Sequence, residues 1–230
     1  MRRMIIVHHL ENSRSQRVLW LLEELAVPYE VMRYKRHPKT SLAPPELARV
    51  HPLGKSPVIS DGAVDGGTVV AESGAIVEYL IDVYGAGRLR PPQGSAEQRL
   101  YTYWLHFSEG SLTPPLVLKL VFDKVREARV PFFIKPVVRG IADKVTAGYI
   151  GPNIKRLLSF MEAELSSRPW FAGSAFSAAD VQMSYPVEGL AESGELGTQH
   201  PALVDWLQRI HARPAYIKAL AAGGPYSALP

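Results

Sequence analysis

The chain has 230 residues, 47% of them hydrophobic and 21% charged, with a formal net charge of +4 and no cysteine. Those values describe a globular protein with a core to bury, and they exclude disulfides, thiolate metal sites and a cysteine nucleophile. Lys and Arg are spread along the chain rather than clustered, which argues against nucleic acid, while a mild positive balance suits an anionic small molecule.

Residues 4–10 are a short apolar run suited to a buried strand. Val18, Leu19, Leu22 and Leu25 then recur at helical spacing, and residues 28–34 read as a second strand. Residues 44–50 form a short helix or turn. Residues 57–60 and 68–70 read as short strands joined through Asp61-Gly62 and Gly66-Gly67, which supply turn geometry. Residues 72–84 are a helix with Ile76, Tyr79, Leu80 and Val83 on one face. The Gly- and Pro-rich segment 85–96 is a linker. Beyond it the strand signal disappears. Helices are predicted over 98–118, 122–146, 154–165, 178–190 and 202–212, with Pro131 and Pro136 kinking or splitting the second. The fold class is therefore α/β plus all-α. Residues 1–84 form an N-terminal α/β domain and residues 97–230 an all-helical domain. No apolar run reaches the ~18–20 residues that span a bilayer. The start fits a strand better than a signal peptide, so the expected location is the cytoplasm.

Two short signals in the first half point to a ligand. A residue before proline is pushed towards an extended conformation, so Ser56-Pro57 offers backbone to an extended partner; a plain turn reads equally well from these residues alone. Glu72-Ser73 opens a helix, where free N–H groups and a partial positive charge favour a carboxylate. Ser177 and Asp180 fit a capping box with Phe176 as its staple residue. His8 and His9 point to opposite faces of a strand and cannot form a metal pair by themselves, and no third ligand is evident. No nucleophile elbow or phosphate loop is present.

The segment HPLGKSP, the Glu72-Ser73 pair, FSAAD at 176–180 and the terminal pattern from Pro201 through Trp206 to Arg213-Pro214 occur in the order found in the cytosolic glutathione transferases. The chain resembles that family from residue 4 to about residue 216. The stretch SRSQRVLWLLEEL and the insertion around 130–149 look most like its bacterial and fungal subgroup, related to a yeast-type membrane-associated transferase. The resemblance implies a thioredoxin-like first domain, a helical second domain that contributes an electrophile pocket, glutathione as cosubstrate, no metal, and a homodimer. It also implies a cis Ser56–Pro57 bond. The Ser56 backbone would pair with the cysteinyl unit of glutathione. Ser73 and the helix start would hold the γ-glutamyl carboxylate, and Glu72 the γ-glutamyl ammonium. Lys55 would meet the glycyl carboxylate, or stand as an ordinary surface lysine. A further contact falls among Lys39, Thr40, Ser41 and Leu42.

In this family a hydroxyl or thiol after the first strand hydrogen-bonds the sulfur. Here the candidates are Ser13, Asn12 and Ser15, in that order, Ser15 being expected as the helix cap. Arg14 or Arg17 would add positive potential. On the helical side Tyr103, Phe107 and Gly110 share a face that either lines the electrophile pocket or belongs to the core. The implied activity is attack of a glutathione thiolate on a hydrophobic electrophile. Two other readings remain open: a peroxidase that uses glutathione's own sulfur, and a non-catalytic binding module.

Overall fold

The computed structural model describes residues 4–64, 66–224 and 226–228. Its first part is a four-stranded sheet of β1 (Ile5–Leu10), β2 (Tyr29–Tyr34), β3 (Val58–Asp61) and β4 (Thr68–Ala71), in the order β2-β1-β3-β4. β1 and β2 are parallel, which requires a crossover, and helix α1 (Ser15–Leu25) supplies it. β3 runs antiparallel to β1 and β4. The short helix α2 (Leu47–Val50) precedes β3, and α3 (Ser73–Tyr84) follows β4. This is the thioredoxin-like arrangement expected from the sequence.

α1 is buried over most of its circumference, because α3, α8 and α10 pack on it as well as the sheet. The inward face of α3 differs from the expected one. Ile76, Val77, Leu80 and Ile81 are buried, whereas Val83 is 42% exposed. The stripe is turned because α3 touches both the sheet and α8. Tyr79 and Tyr84 direct their hydroxyls to the Asp61 carboxylate at the end of β3.

The second part is helical: α4 (Ala96–Phe107), α5 (Thr113–Arg126), α6 (Lys135–Val145), α7 (Gly151–Ser167), α8 (Ala178–Glu192), α9 (Pro201–His211) and α10 (Pro214–Gly223). A π-helical turn at Ser108–Leu112 joins α4 to α5, and another at Thr146–Ile150 joins α6 to α7. The first expected helix therefore continues past residue 118 to Arg126, and the break falls at 127–134. Pro131 lies in that break. Pro136 stands in the first turn of α6, where a missing N–H costs nothing. Pro214 likewise starts a helix, α10, that the periodicity analysis did not identify. Its Tyr216 ring meets Trp20 of α1 edge-on at 5.2 Å. A Cβ on Gly223 would sit 2.2 Å from Gln16 Oε1 and 3.1 Å from Leu19 Cδ1, so any larger residue there would make those two α1 side chains move.

The capping box at the start of α8 forms as expected. Asp180 is fully buried and accepts from Phe171 N–H, Ser177 N–H, Ser177 Oγ and Trp206 Nε1 at 3.0–3.2 Å. One apolar core runs through both parts of the chain. Among the described residues no helix is long and apolar enough to cross a membrane.

Candidate active site

β1 ends at Leu10, and β3 is preceded by the cis Ser56–Pro57 bond. His8 lies opposite Val58 in the antiparallel register, so the end of β1 and the start of β3 run side by side. Ser56 Oγ donates to the His8 carbonyl at 3.0 Å. The loop after β1 turns at Asn12, whose φ of 49° lies in the left-handed region that asparagine tolerates. That turn carries Ser13 to within 3.5 Å of Ser56, across 43 positions of sequence.

The three candidate sulfur partners are placed differently. Ser13 is buried and donates to the Leu10 carbonyl at 2.7 Å; its Oγ also lies 2.7 Å from Ser15 Oγ. Ser15 is fully buried, inside the first turn of α1, with its Oγ 2.9 Å from His9 Nδ1. Burial, with Arg33 adding to it, holds the His9 imidazole down at about 4, against a backbone hydrogen bond to Gly223, so the ring is neutral. The expected role of Ser15 as helix cap is not what the structure shows. The residue before the helix is Arg14, and Ser13 Oγ accepts the Ser15 N–H at 3.3 Å. Asn12 uses its side-chain oxygen to accept from Ser227 N–H at 3.0 Å, which ties the loop to the tail of the chain.

Glu72 immediately precedes α3 with φ 72°, and its side chain makes no capping hydrogen bond. Ser73 is buried at the first helical position, where N–H groups lack partners within the helix. Lys55, Ser56, Pro57, Glu72 and Ser73 all line one cleft of about 100 Å³. Arg14 and Glu109 complete it from the other side. Sequence reasoning did not place Glu109 in the site, because it comes from the π-helical turn 92 positions after its partner Arg17. Arg17, 2% exposed, binds the Glu109 carboxylate and donates to the Gln182 carbonyl of α8 at 2.6 Å.

Next to the cleft is a groove of about 320 Å³ that shares Arg14 with it. Thr113, Leu116, Val117 and Leu120 of α5 form one wall, and Tyr185, Pro186 and Gly189 of α8 another. Thr40, Ser41 and Leu42 close it from the first part, and Ala228 from the tail. Tyr103 and Phe107 line neither space. They pack with Trp104 and with Phe160 of α7 in an aromatic cluster, with ring centroids 4.9–6.3 Å apart. Of the expected face, Tyr103 and Phe107 are engaged by Phe160 of α7, and Gly110 falls inside the π-helical turn. A third hollow, of about 350 Å³ between Leu89 and Ser177, shares no residue with cleft or groove.

His8 contacts Tyr34 and Ser60 while His9 contacts Ser15, so the two rings diverge. Among the described residues no group of His, Asp and Glu is placed to hold a metal.

Comparison with known proteins agrees with this geometry. Residues 2–82 match the family description "Glutathione S-transferase, N-terminal domain" and residues 133–214 match "Glutathione S-transferase, C-terminal domain". Glutathione S-transferase 3 of Schizosaccharomyces pombe is 37% identical over 92% of this chain and 85% of its own length. Glutathione S-transferase 1 of Saccharomyces cerevisiae is 33% identical over 92% of each. A glutathione transferase family member from Pseudomonas fluorescens, solved with two glutathione bound, superposes with a TM-score of 0.77 at 29% identity, over 95% of this chain and 92% of its own. Fold, cleft and relatives converge: the chain belongs to the glutathione S-transferase family.

Proposed function

We propose that the cleft holds glutathione, that Ser13 hydrogen-bonds its sulfur, and that the resulting thiolate attacks an apolar electrophile seated in the groove. As a family member the chain is a glutathione transferase with glutathione as cosubstrate. The observation that carries the residue assignment is the Ser13 hydroxyl 3.5 Å from that of Ser56, a residue that lines the cleft together with Glu72 and Ser73. Ser56 backbone would pair with the cysteinyl unit. The start of α3 with Ser73 would take the γ-glutamyl carboxylate, Glu72 the ammonium and Lys55 the glycyl carboxylate. A free thiol has a pKa near ~8.5, and each unit of lowering takes about 1.4 kcal/mol. With its O–H turned from the Leu10 carbonyl to the sulfur, the Ser13 hydroxyl and the nearby guanidinium of Arg14 would supply one to two such steps on that scale, roughly 1.4–2.8 kcal/mol. The thiol proton leaves to solvent.

Cytoplasmic location and assembly as a homodimer belong to the same proposal. A reducing compartment suits a thiol cosubstrate. Val69 on edge strand β4, Val83 on α3 and Tyr103 on α4 are large apolar side chains 42–49% exposed, as a subunit contact would use.

Ultraviolet titration of the bound thiolate tests the sulfur assignment. The wild-type complex should ionise one to two pH units below free glutathione, and Ser13→Ala should remove that shift. Loss confined to Asn12→Ala or Ser15→Ala would overturn the choice of Ser13. Failure to bind immobilised glutathione at all would overturn the cleft assignment, whereas wild-type retention abolished by Glu72→Ala supports it.

A further inference from the structure

The groove has a charge pattern that a purely apolar pocket lacks. Its walls are apolar at Leu116, Val117 and Leu120, yet Arg14, Arg36 and Lys124 also line it, and no Asp or Glu among the described residues does. The three cations come from the loop after β1, the segment after β2 and the last turn of α5. Arg36 is fixed by donating to the carbonyls of Glu11, Asn12 and Ser41 at 2.9–3.1 Å, which anchors the side chain without neutralising it. Arg14 lies 3.6 Å from Glu109 on the cleft side and 5.4 Å from the Tyr185 ring on the groove side. Lys124 is exposed, and its sequence neighbour Asp123 is already engaged by Lys119 and Arg126. The Glu192 carboxylate, the acid that acts on Tyr185, is taken up by Ser227 and Ala228. At 1.5 Å per residue, the eleven positions from Thr113 to Lys124 run roughly 16 Å along α5. The groove is therefore long enough for its two ends to meet different parts of one small molecule.

We propose that the groove selects amphipathic electrophiles, in which an apolar body carries a carboxylate or sulfonate that meets Lys124 while the reactive carbon faces the thiol beside Arg14 and Arg36. The proposal rests on the conjugating site described above and names its substrate class. Apolar surface is buried against α5, and the anion is held by cations that an uncharged analogue leaves unused. Exposed ion pairs of this kind are worth up to about fivefold each and weaken with salt.

Two arms test it on the full chain. The first uses 4-chloro-3,5-dinitrobenzoate against 1-chloro-2,4-dinitrobenzene. In both, the thiolate sulfur bonds the ring carbon, chloride leaves with the electron pair of the broken bond, and the thiol proton goes to buffer. With each kcat/KM divided by its uncatalysed rate, the carboxylate should be favoured about tenfold at low salt. Lys124→Gln should cut that ratio two- to fivefold and Lys124→Glu tenfold, with 0.5 M KCl erasing it. The second arm needs no glutathione. Binding of 1-anilinonaphthalene-8-sulfonate should weaken tenfold in Lys124→Glu, while the sulfonate-free N-phenyl-1-naphthylamine shifts less than twofold. Charge-dependent dye binding without conjugation of either substrate would remove the transferase reading and leave the anion preference standing. Equal behaviour of the two dyes, a substrate ratio near one, or displacement of the dye by glutathione in a second, weaker step would overturn the proposal.

Discussion

Asp180 offers a sharp test of how the helical part is held together. Its two carboxylate oxygens accept from four donors, and it has no exposed surface. Asp180→Ala leaves three N–H groups without their partner: Phe171 and Ser177 on the backbone and the Trp206 indole. An unpaired buried donor costs about 1–3 kcal/mol, so simple addition sets a ceiling near 9 kcal/mol. A water entering the space left by the carboxylate restores some of those bonds. The expected net loss is about 3–5 kcal/mol, a large share of the roughly 5–15 kcal/mol that holds a protein folded. For a chain of this length that corresponds to a fall in Tm of roughly 6–20 °C. Asp180→Asn keeps the oxygen that serves Phe171 and Trp206 but turns an NH₂ towards the Ser177 N–H, so it should lose about half as much. Urea unfolding followed by tryptophan fluorescence measures both. If Asp180→Ala lies within about 1 kcal/mol of wild type, the four hydrogen bonds are not what anchors α8, and the reasoning fails.

Three further outcomes follow from the same structure. His9 titrates at about 4 in the folded protein and near ~6.5 when unfolded, so between those values only the unfolded chain binds the proton. Stability should therefore fall as pH drops from ~6.5 towards 4, by on the order of 3 kcal/mol from this group; urea midpoints at pH 7 and pH 5 should converge in His9→Gln, and an unchanged acid limb would contradict the assignment. Glu24 receives Arg213 at 2.5 and 2.8 Å and the Trp20 indole at 2.8 Å, joining α1 to the start of α10. Glu24→Gln should cost about 2 kcal/mol in the same assay, and Arg213→Met added to it should cost little more, since the pair acts as a unit. Gly223→Ala should cost about 1–3 kcal/mol by driving a methyl into Gln16 Oε1 and towards Leu19, and Gln16→Ala in the same chain should recover part of that loss; absence of any recovery would place the strain elsewhere.

What could be read in advance was whatever a few neighbouring residues decide. The Ser177–Asp180 box is a four-residue motif, and it forms. Ser56-Pro57 and Glu72-Ser73 are dipeptides, and both reach one cleft because β1, β3 and β4 are contiguous in the sheet. The face shared by Tyr103, Phe107 and Gly110 assumes an unbroken helix, and the turn at Ser108–Leu112 interrupts that helix with no signal in the local composition. Ser15 as helix cap failed more narrowly: the hydroxyl that receives the α1 N–H is Ser13, two residues earlier, because Ser15 already faces His9. Other contacts were out of reach altogether. Glu109 meets Arg17 across 92 positions and Asn12 meets Ser227 across 215, and nothing within either segment encodes its partner. α10 was concealed for a different reason, since a proline that ends one helix equally well begins the next.

Arg17 has a bearing on whether the two halves are interchangeable. It stands two residues into the helix that follows the loop after β1, yet its acceptors, Glu109 and the Gln182 carbonyl, both belong to the helical half. Joined to a helical half without an acid at the place of Glu109, this first half would keep a buried guanidinium with only the α8 carbonyl to receive it, and the start of α1, with Ser13 and Ser15, would shift to release it. A working chimera should therefore carry Glu109 and the α8 segment around Gln182 along with residues 4–84, which places the functional seam of this protein inside its second half and not at the linker.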